Sequence, residues 1–124
     1  MKKVPVEVTK VFRFDSAHNL ERYRGRCEAL HGHTYTLEVT VKGLPGEDDM
    51  VMDFAELKQI VESSVIDRVD HTYLNAQLEI NPTSENLAIW IWDTLAPIIE
   101  RHGAKLYAVT LWETPENRVR LTAA

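Results

Sequence analysis

Only one of the 124 residues is a cysteine, Cys27, so the chain cannot close a disulfide within itself. A lone thiol is typical of proteins in a reducing compartment. The sequence also lacks any apolar run near the roughly 20 residues that a membrane span needs. Its first five residues lead into alternating sequence without the apolar segment of a secretion signal. These absences predict a cytoplasmic protein that does not bind a membrane.

Positive charge is also scarce. Fourteen Lys and Arg residues stand against 19 Asp and Glu residues, which gives a formal net charge of −5. This balance excludes a general attraction to nucleic acid or anionic lipid, so we expect no nucleic-acid partner. The length and the hydrophobic content of 44% predict a single domain over residues 1–124 with a small core. A small core favours oligomerisation.

Several stretches alternate apolar and polar side chains with the period of a β-strand. Residues 6–14 and residues 31–41 show this alternation, and two shorter strands are predicted over about residues 105–113 and 118–121. One face of each long stretch is apolar and the other is polar. This pattern is typical of a sheet that is covered on one side only.

The middle of the chain has helical periodicity instead. Asp53 is a candidate N-cap for a first helix, which fades near position 70. Thr83 or Ser84 is a candidate cap for a second helix, in which Pro97 is expected to introduce a kink and which Gly103 is expected to end. The resulting order, ββααββ, predicts an α+β fold in which two helices cover one face of a four-stranded antiparallel sheet. The two open edges of such a sheet favour pairing with another subunit.

Three histidines are predicted to meet at one end of this sheet. His31 and His33 are two residues apart on a strand, so their side chains point to the same face. His18 follows the first strand, and it lies near them if the first two strands are neighbours. Three imidazoles suit zinc, and three protein ligands leave a fourth position for water or substrate, as in catalytic sites. The alternative is that the histidines are ordinary residues at the margin of the core.

Cys27 lies four residues before His31 and follows Arg22, Arg24 and Arg26. Nearby cations favour the thiolate over the thiol, so Cys27 is a candidate base or nucleophile. Alternatively, the cysteine is a small buried apolar residue. The arginines are either a solvated charged surface or a site for a phosphorylated substrate.

Two further candidates are acid–base groups. Asp70 and His71 are adjacent in the predicted loop after the first helix, where they could work as an orienting carboxylate and a proton carrier. Glu113 ends an apolar strand and could accept paired N–H donors from a guanidine-like heterocycle, although an exposed acid at a strand end explains it equally well. His102 is interpreted as a C-terminal helix cap without a chemical role.

The chain resembles the family of 6-pyruvoyl-tetrahydropterin synthases and 6-carboxy-5,6,7,8-tetrahydropterin synthases, and its short length resembles the bacterial, queuosine-pathway members. The resemblance rests on FDSAH at 14–18, CEALHGH at 27–33, DF at 53–54, DHTYLN at 70–75, PTSEN at 82–86 and Glu113.

The resemblance implies the tunnelling fold, in which three subunits close a barrel and two trimers stack as a homohexamer. It also implies a zinc-dependent carbon–oxygen lyase that acts on 7,8-dihydroneopterin triphosphate. The implied product is 6-carboxy-5,6,7,8-tetrahydropterin, formed with loss of triphosphate and acetaldehyde. The implied roles are zinc binding by His18, His31 and His33, proton acceptance by Cys27, a proton relay through Asp70 and His71 of a neighbouring subunit, and anchoring of the pterin by Glu113.

Other functions stay open. Glu28 directly follows Cys27, and family variants with a glutamate near this position cleave the side chain to 6-hydroxymethyl-dihydropterin. Glu28 is therefore either a substrate-binding residue with such a side activity or a plain loop acid. A pyruvoyl-forming enzyme would use the same site. A function of another class is a non-catalytic zinc-binding assembly module in which Cys27 fills the fourth zinc position.

Overall fold

Two long antiparallel strands form the centre of the sheet in the computed structural model, which describes residues 1–20 and 29–124. Strand β1 spans Val6–His18 and β2 spans His31–Gly43. They pair along their whole length, so that His18 lies opposite His31. The first strand therefore runs beyond its predicted end at residue 14 and includes His18, because the ladder with β2 continues where apolar alternation has already faded.

Within residues 1–20 and 29–124, the sheet has five strands. Strand β3, Thr72–Tyr73, runs parallel to the end of β1, and strands β4, Lys105–Thr114, and β5, Asn117–Thr122, add antiparallel pairs beside β2. The spatial order is β3-β1-β2-β4-β5. The predicted α+β class is confirmed, but the prediction of four antiparallel strands is wrong. A strand of two residues carries no periodicity, and only its contact with β1 makes it a strand.

The helical region is also more divided than the order ββααββ predicted. Helix α1 spans Phe54–Val61 and continues through a π-helical segment, Glu62–Ile66, into α2, Asp67–Val69. A short helix α3, Leu74–Gln77, follows β3, and the long helix α4 spans Ser84–Arg101. Among the described residues, no helix is long and apolar enough to cross a membrane.

The π-helical segment keeps one apolar row facing the sheet. Leu57, Val61, Val65 and Val69 recur every four residues and are all fully buried. Three α-helical turns take about 10.8 residues, so a strict four-residue repeat would rotate steadily away from the core. One wider turn absorbs the extra residue and brings Val65 and Val69 back to the buried side.

The helix ends follow the predicted local chemistry. The Asp53 side chain accepts a hydrogen bond from Ala55 N at 2.8 Å, and Thr83, rather than Ser84, caps α4. Gly103 has a φ of 87° just after α4, where glycine is favoured. Pro97 lies inside α4 and does not end the helix.

The helices cover one face of the sheet, and the core lies between them. Buried side chains alternate along β1 and β2, and they meet the apolar sides of α1 and α4. This face carries all three predicted metal ligands at the end where β1 stops and β2 begins. Fully buried members of the core include Tyr35, Leu37, Val39, Val41, Leu57, Leu87, Ile91, Leu95, Ile99 and Leu111.

Candidate active site

The register of β1 and β2 brings the three predicted histidines together. His18 is directly opposite His31, and His33 lies two residues further along the same face of β2. The ring centroids of His18 and His33 are 5.1 Å apart, and those of His31 and His33 are 4.9 Å apart. One ring nitrogen from each residue lies within 4.8 Å of the others. The convergence expected from the sequence is therefore present in the structure.

Backbone carbonyls orient two of these rings. His18 Nδ1 lies 2.8 Å from the carbonyl oxygen of Pro82, and His31 Nδ1 lies 2.9 Å from that of Ala29. A carbonyl can only accept, so each Nδ1 carries a proton, and in the neutral ring each Nε2 presents a lone pair. The two Nε2 atoms are 3.0 Å apart. Two lone pairs at this distance repel each other unless a cation lies between them.

His33 supplies the third nitrogen. Its Nε2 is buried and makes no hydrogen bond to any described residue, and the nearest carboxylate oxygen, Glu113 Oε1, is 3.4 Å away. Burial lowers the pKa of His33 below its ordinary value, although the negative charge of Glu113 opposes the shift. A neutral imidazole with an unused nitrogen is the form that binds metals.

These observations fit a metal ion. The set consists of three imidazoles, two of which direct Nδ1 to a carbonyl oxygen and Nε2 toward the other rings, as is common for histidine ligands. Three nitrogen donors are typical of catalytic zinc sites. The group of His18, His31 and His33 could therefore hold a metal ion.

Glu113, on strand β4, lies beside the histidines and next to the first turn of helix α4. Its Oε2 accepts a hydrogen bond of 2.5 Å from the Ser84 hydroxyl, and Ser84 is the first residue of the helix. The β2–β4 ladder ends at Thr36 and Trp112, and a cleft of about 530 Å³ opens beyond it. Glu113 and one of the three histidines, His33, line this cleft, so both residues border one ligand-sized space.

Tyr35 forms the floor below the histidines. It is fully buried, it stacks on Phe14 at a centroid distance of 4.9 Å, and its hydroxyl lies 3.5 Å from His18 Nδ1. Burial and the nearby charge of Glu113 raise the pKa of Tyr35 far above its ordinary value, so the phenol stays protonated. The strand pattern predicts only a core role for this residue.

The predicted acid–base pair lies at the outer edge of β1. His71 Nδ1 is 3.0 Å from Asp70 Oδ1, and the imidazole is largely exposed. The backbone of Asp15 makes one hydrogen bond to each member of the pair. Its N–H donates to Asp70 Oδ1 at 2.9 Å, and its carbonyl accepts from His71 N at 2.6 Å. The Asp15 N–H also holds the pKa of Asp70 below its usual range. His71 has a φ of 56°, which is uncommon for a residue other than glycine.

A second cleft is lined by His71 of this pair and by His33 of the histidine group. It has a volume of about 570 Å³ and is lined by His71, Asp15 and Thr34 among others. It shares Gly32, His33 and Thr34 with the first cleft, so the two clefts flank the same short stretch of β2. A side chain at Gly32 would meet only ordinary contacts among the described atoms, the nearest being Ser16 O at 3.6 Å.

Two predicted site residues, Cys27 and Glu28, lie outside the described residues. The sequence did not predict three contacts in this region. Pro82 accepts from His18 through its carbonyl, Ser84 donates to Glu113 through its hydroxyl, and Asp15 donates to Asp70 through its backbone N–H. The sequence indicates Ser84 only as a possible helix cap. One sequence signal for the role of Ser84 is that a second hydroxyl residue directly follows the N-cap Thr83. A helix needs only one N-cap side chain, so the second hydroxyl is available for another partner.

Fold and site together define an α+β protein in which three histidines that could hold a metal ion lie beside Glu113 and a ligand-sized cleft. The family model described as 6-pyruvoyl tetrahydropterin synthase matches residues 7–124. The chain belongs to this family, which confirms the resemblance seen in the sequence and the expectation of a lyase.

Individual relatives carry different names. The chain is 37% identical over 119 residues to a 6-carboxy-5,6,7,8-tetrahydropterin synthase of Synechocystis, covering 91% of this chain and 90% of that protein. It is 40% identical over 110 residues to a dihydroneopterin monophosphate aldolase of Pyrococcus furiosus, covering 87% and 90%. The structure of Caenorhabditis elegans 6-pyruvoyl tetrahydropterin synthase superposes with a TM-score of 0.86 at 32% identity and full coverage of both chains.

Proposed function

We propose that this protein is a zinc-dependent carbon–oxygen lyase that converts 7,8-dihydroneopterin triphosphate to 6-carboxy-5,6,7,8-tetrahydropterin, with loss of triphosphate and acetaldehyde. This reaction would place it in queuosine biosynthesis. The observation that carries the proposal is the meeting of three histidine nitrogens, with the Glu113 carboxylate 3.4 Å from that of His33 and a ligand-sized cleft beside these two residues. Such a cleft can hold the ring and the side chain of a pterin at adjacent positions.

In this proposal, His18, His31 and His33 hold the zinc ion. When bound, zinc supplies Lewis-acid chemistry that polarises the side-chain hydroxyls of the substrate and makes the neighbouring C–H protons more acidic. Glu113 accepts hydrogen bonds from the 2-amino group and N3–H of the pterin, which fixes the ring against the side of β2. Paired N–H donors and a carboxylate form parallel charge-assisted hydrogen bonds.

Proton transfer is assigned to three residues. Cys27 accepts a proton from the side chain, and Asp70 orients His71 so that the imidazole carries protons to and from the site. The exposed His71 ring at the edge of β1 suits a site that is completed by a neighbouring subunit. We therefore propose a homohexamer of two trimers with shared active sites, a protomer of one domain over residues 1–124, and a location in the cytoplasm.

The test is to incubate the zinc-loaded protein with 7,8-dihydroneopterin triphosphate and to identify the pterin by mass spectrometry. We expect 6-carboxy-5,6,7,8-tetrahydropterin and its loss in Cys27→Ala. A 6-pyruvoyl product would leave the proposed site unchanged and would replace the proposed reaction with the pyruvoyl-forming one. Unaltered substrate would reject the enzyme and favour the zinc-binding module, in which Cys27 coordinates zinc and is protected from iodoacetamide.

A second activity has a specific observation in its favour. The relative from Pyrococcus furiosus is named an aldolase, and Glu28 stands next to Cys27. A carboxylate at this position could accept the side-chain hydroxyl proton during carbon–carbon cleavage. The matched variants are Glu28→Gln and Cys27→Ala. Undiminished 6-hydroxymethyl-dihydropterin in Glu28→Gln would exclude Glu28 from that reaction.

A further inference from the structure

Glu113 lies on β4 just beyond the end of the pairing with β2. The β2–β4 ladder ends one residue earlier, at Trp112, and the β4–β5 pairing changes register between Trp112 and Thr114. A glutamate has three rotatable side-chain bonds, and ordering such a side chain opposes ligand binding by its loss of rotamer freedom. Something other than the strand must therefore fix the direction of this carboxylate.

The hydroxyl of Ser84 is the group in a position to do so. It donates to Glu113 Oε2 at 2.5 Å, and the serine is only 9% exposed. Its backbone is anchored because it is the first residue of the 18-residue helix α4, directly after the N-cap Thr83. The donor is thus held by the helix, whereas the acceptor lies on β4 just beyond the end of its pairing with β2.

The same turn also holds a metal ligand. Pro82, two residues before Ser84, accepts the Nδ1 hydrogen of His18 at 2.8 Å. The start of α4 therefore fixes His18 with a carbonyl and Glu113 with a hydroxyl. The remaining oxygen, Glu113 Oε1, lies 3.4 Å from His33 Nε2, which places it on the side of the histidines.

We propose that Ser84 is a positioning residue that sets Glu113 for recognition of the 2-amino and N3 edge of a pterin ring. This inference rests on the anchoring role proposed for Glu113. An ionised carboxylate offers about four lone-pair sites, so one hydrogen bond from Ser84 leaves room for two parallel N–H donors. Ser84 touches neither the metal-binding nitrogens nor the reacting side chain in this scheme, and it acts through Glu113.

Equilibrium binding of two ring compounds tests this role. Pterin carries the 2-amino group, whereas lumazine has a carbonyl oxygen there, which a carboxylate repels. We would titrate zinc-loaded wild type, Ser84→Ala and Ser84→Thr with both compounds by calorimetry. Thr94→Ala is the matched control, because it removes another α4 hydroxyl, one that donates to Trp90 O at 2.8 Å about 15 Å further along the helix.

We expect Ser84→Ala to reduce the preference for pterin, measured as the ratio of the lumazine Kd to the pterin Kd, by roughly tenfold. This is the change expected for the loss of one charge-assisted hydrogen bond. Ser84→Thr, which keeps the hydroxyl, and Thr94→Ala should stay within about twofold of wild type. An unchanged preference in Ser84→Ala overturns the inference, as does equal loss in Ser84→Thr, which would indicate a packing effect. Glu113→Gln separates the two proposals, because an unchanged preference there would reject the anchoring role itself.

Discussion

Zinc should stabilise the folded protein through three of its five histidines and not through the other two. A ligand that binds only the folded state adds RT ln(1 + [L]/Kd), which is about 2.7 kcal/mol when free zinc is 100 times its Kd. For 124 residues, an unfolding entropy of about 2.1 cal/mol/K per residue gives roughly 0.26 kcal/mol/K. The expected rise in Tm is therefore about 10 °C over the chelator-treated protein.

The variants that test this are His18→Ala, His31→Ala and His33→Ala. Each removes one nitrogen from the metal-binding group, so the rise in Tm should fall to about 2 °C or less at the same free zinc. His71→Ala and His102→Ala are the controls, and His71→Ala also reports on any metal held by the second candidate cluster of Asp15, Asp70 and His71. His102 caps α4 through Ile98 O at 2.9 Å and lies outside the metal-binding group.

Differential scanning fluorimetry with buffered zinc measures each shift against the chelated form of the same variant, so that any cost to folding cancels. The full rise in both controls and its loss in all three site variants is the expected result. A full rise in any of the three, or a loss in His102→Ala, would refute the assignment of the metal ligands from ring geometry.

Three further predictions concern stability. Leu95→Ala truncates a fully buried side chain and should cost about 2–5 kcal/mol in urea unfolding; a cost below about 1 kcal/mol would contradict the packing of α4 on the sheet. Asp53→Ala removes the acceptor for Ala55 N and should lower the free energy of unfolding by about 1 kcal/mol. Asp53→Asn should retain most of the stability that this cap provides. Asp70→Asn tests the lowered pKa of Asp70. Because of this lowered pKa, the Asp70 carboxyl is protonated less in the folded protein than in the unfolded chain near pH ~3.9. Its stabilising contribution is present above that pH and is lost as the pH falls through the lowered folded pKa. The stability difference from wild type should thus be constant above about pH 5 and shrink in acid, and a difference that grows in acid would contradict the assignment.

Local sequence was sufficient for much of the site. Because residues i and i+2 of a strand share a face, the spacing of His31 and His33 is enough to place them together. Neighbouring strands then bring His18 to the same end, which the register confirms. Asp53 could be identified as a cap because capping depends on a side chain and an amide only two residues apart.

Other features depend on partners distant in the chain. The hydrogen bonds from Ser84 to Glu113 and from His18 to Pro82 join residues 29 and 64 positions apart. Strand β3 exists only because the turn at Asp70 and His71 lies against β1. No periodicity or local propensity records such contacts, so neither the fifth strand nor the hydroxyl on Glu113 was predictable.

The residue types and their spacing by themselves determined the class of fold, the three histidines that could hold a metal ion, and the family. Only the tertiary structure decided how these groups are oriented: which imidazole nitrogen is free, which carboxylate oxygen is held, and which edge carries Asp70 and His71. The physical reason is that strand and helix periods arise from short-range backbone geometry, whereas hydrogen-bond direction at a site is set by groups that meet only after the chain has folded.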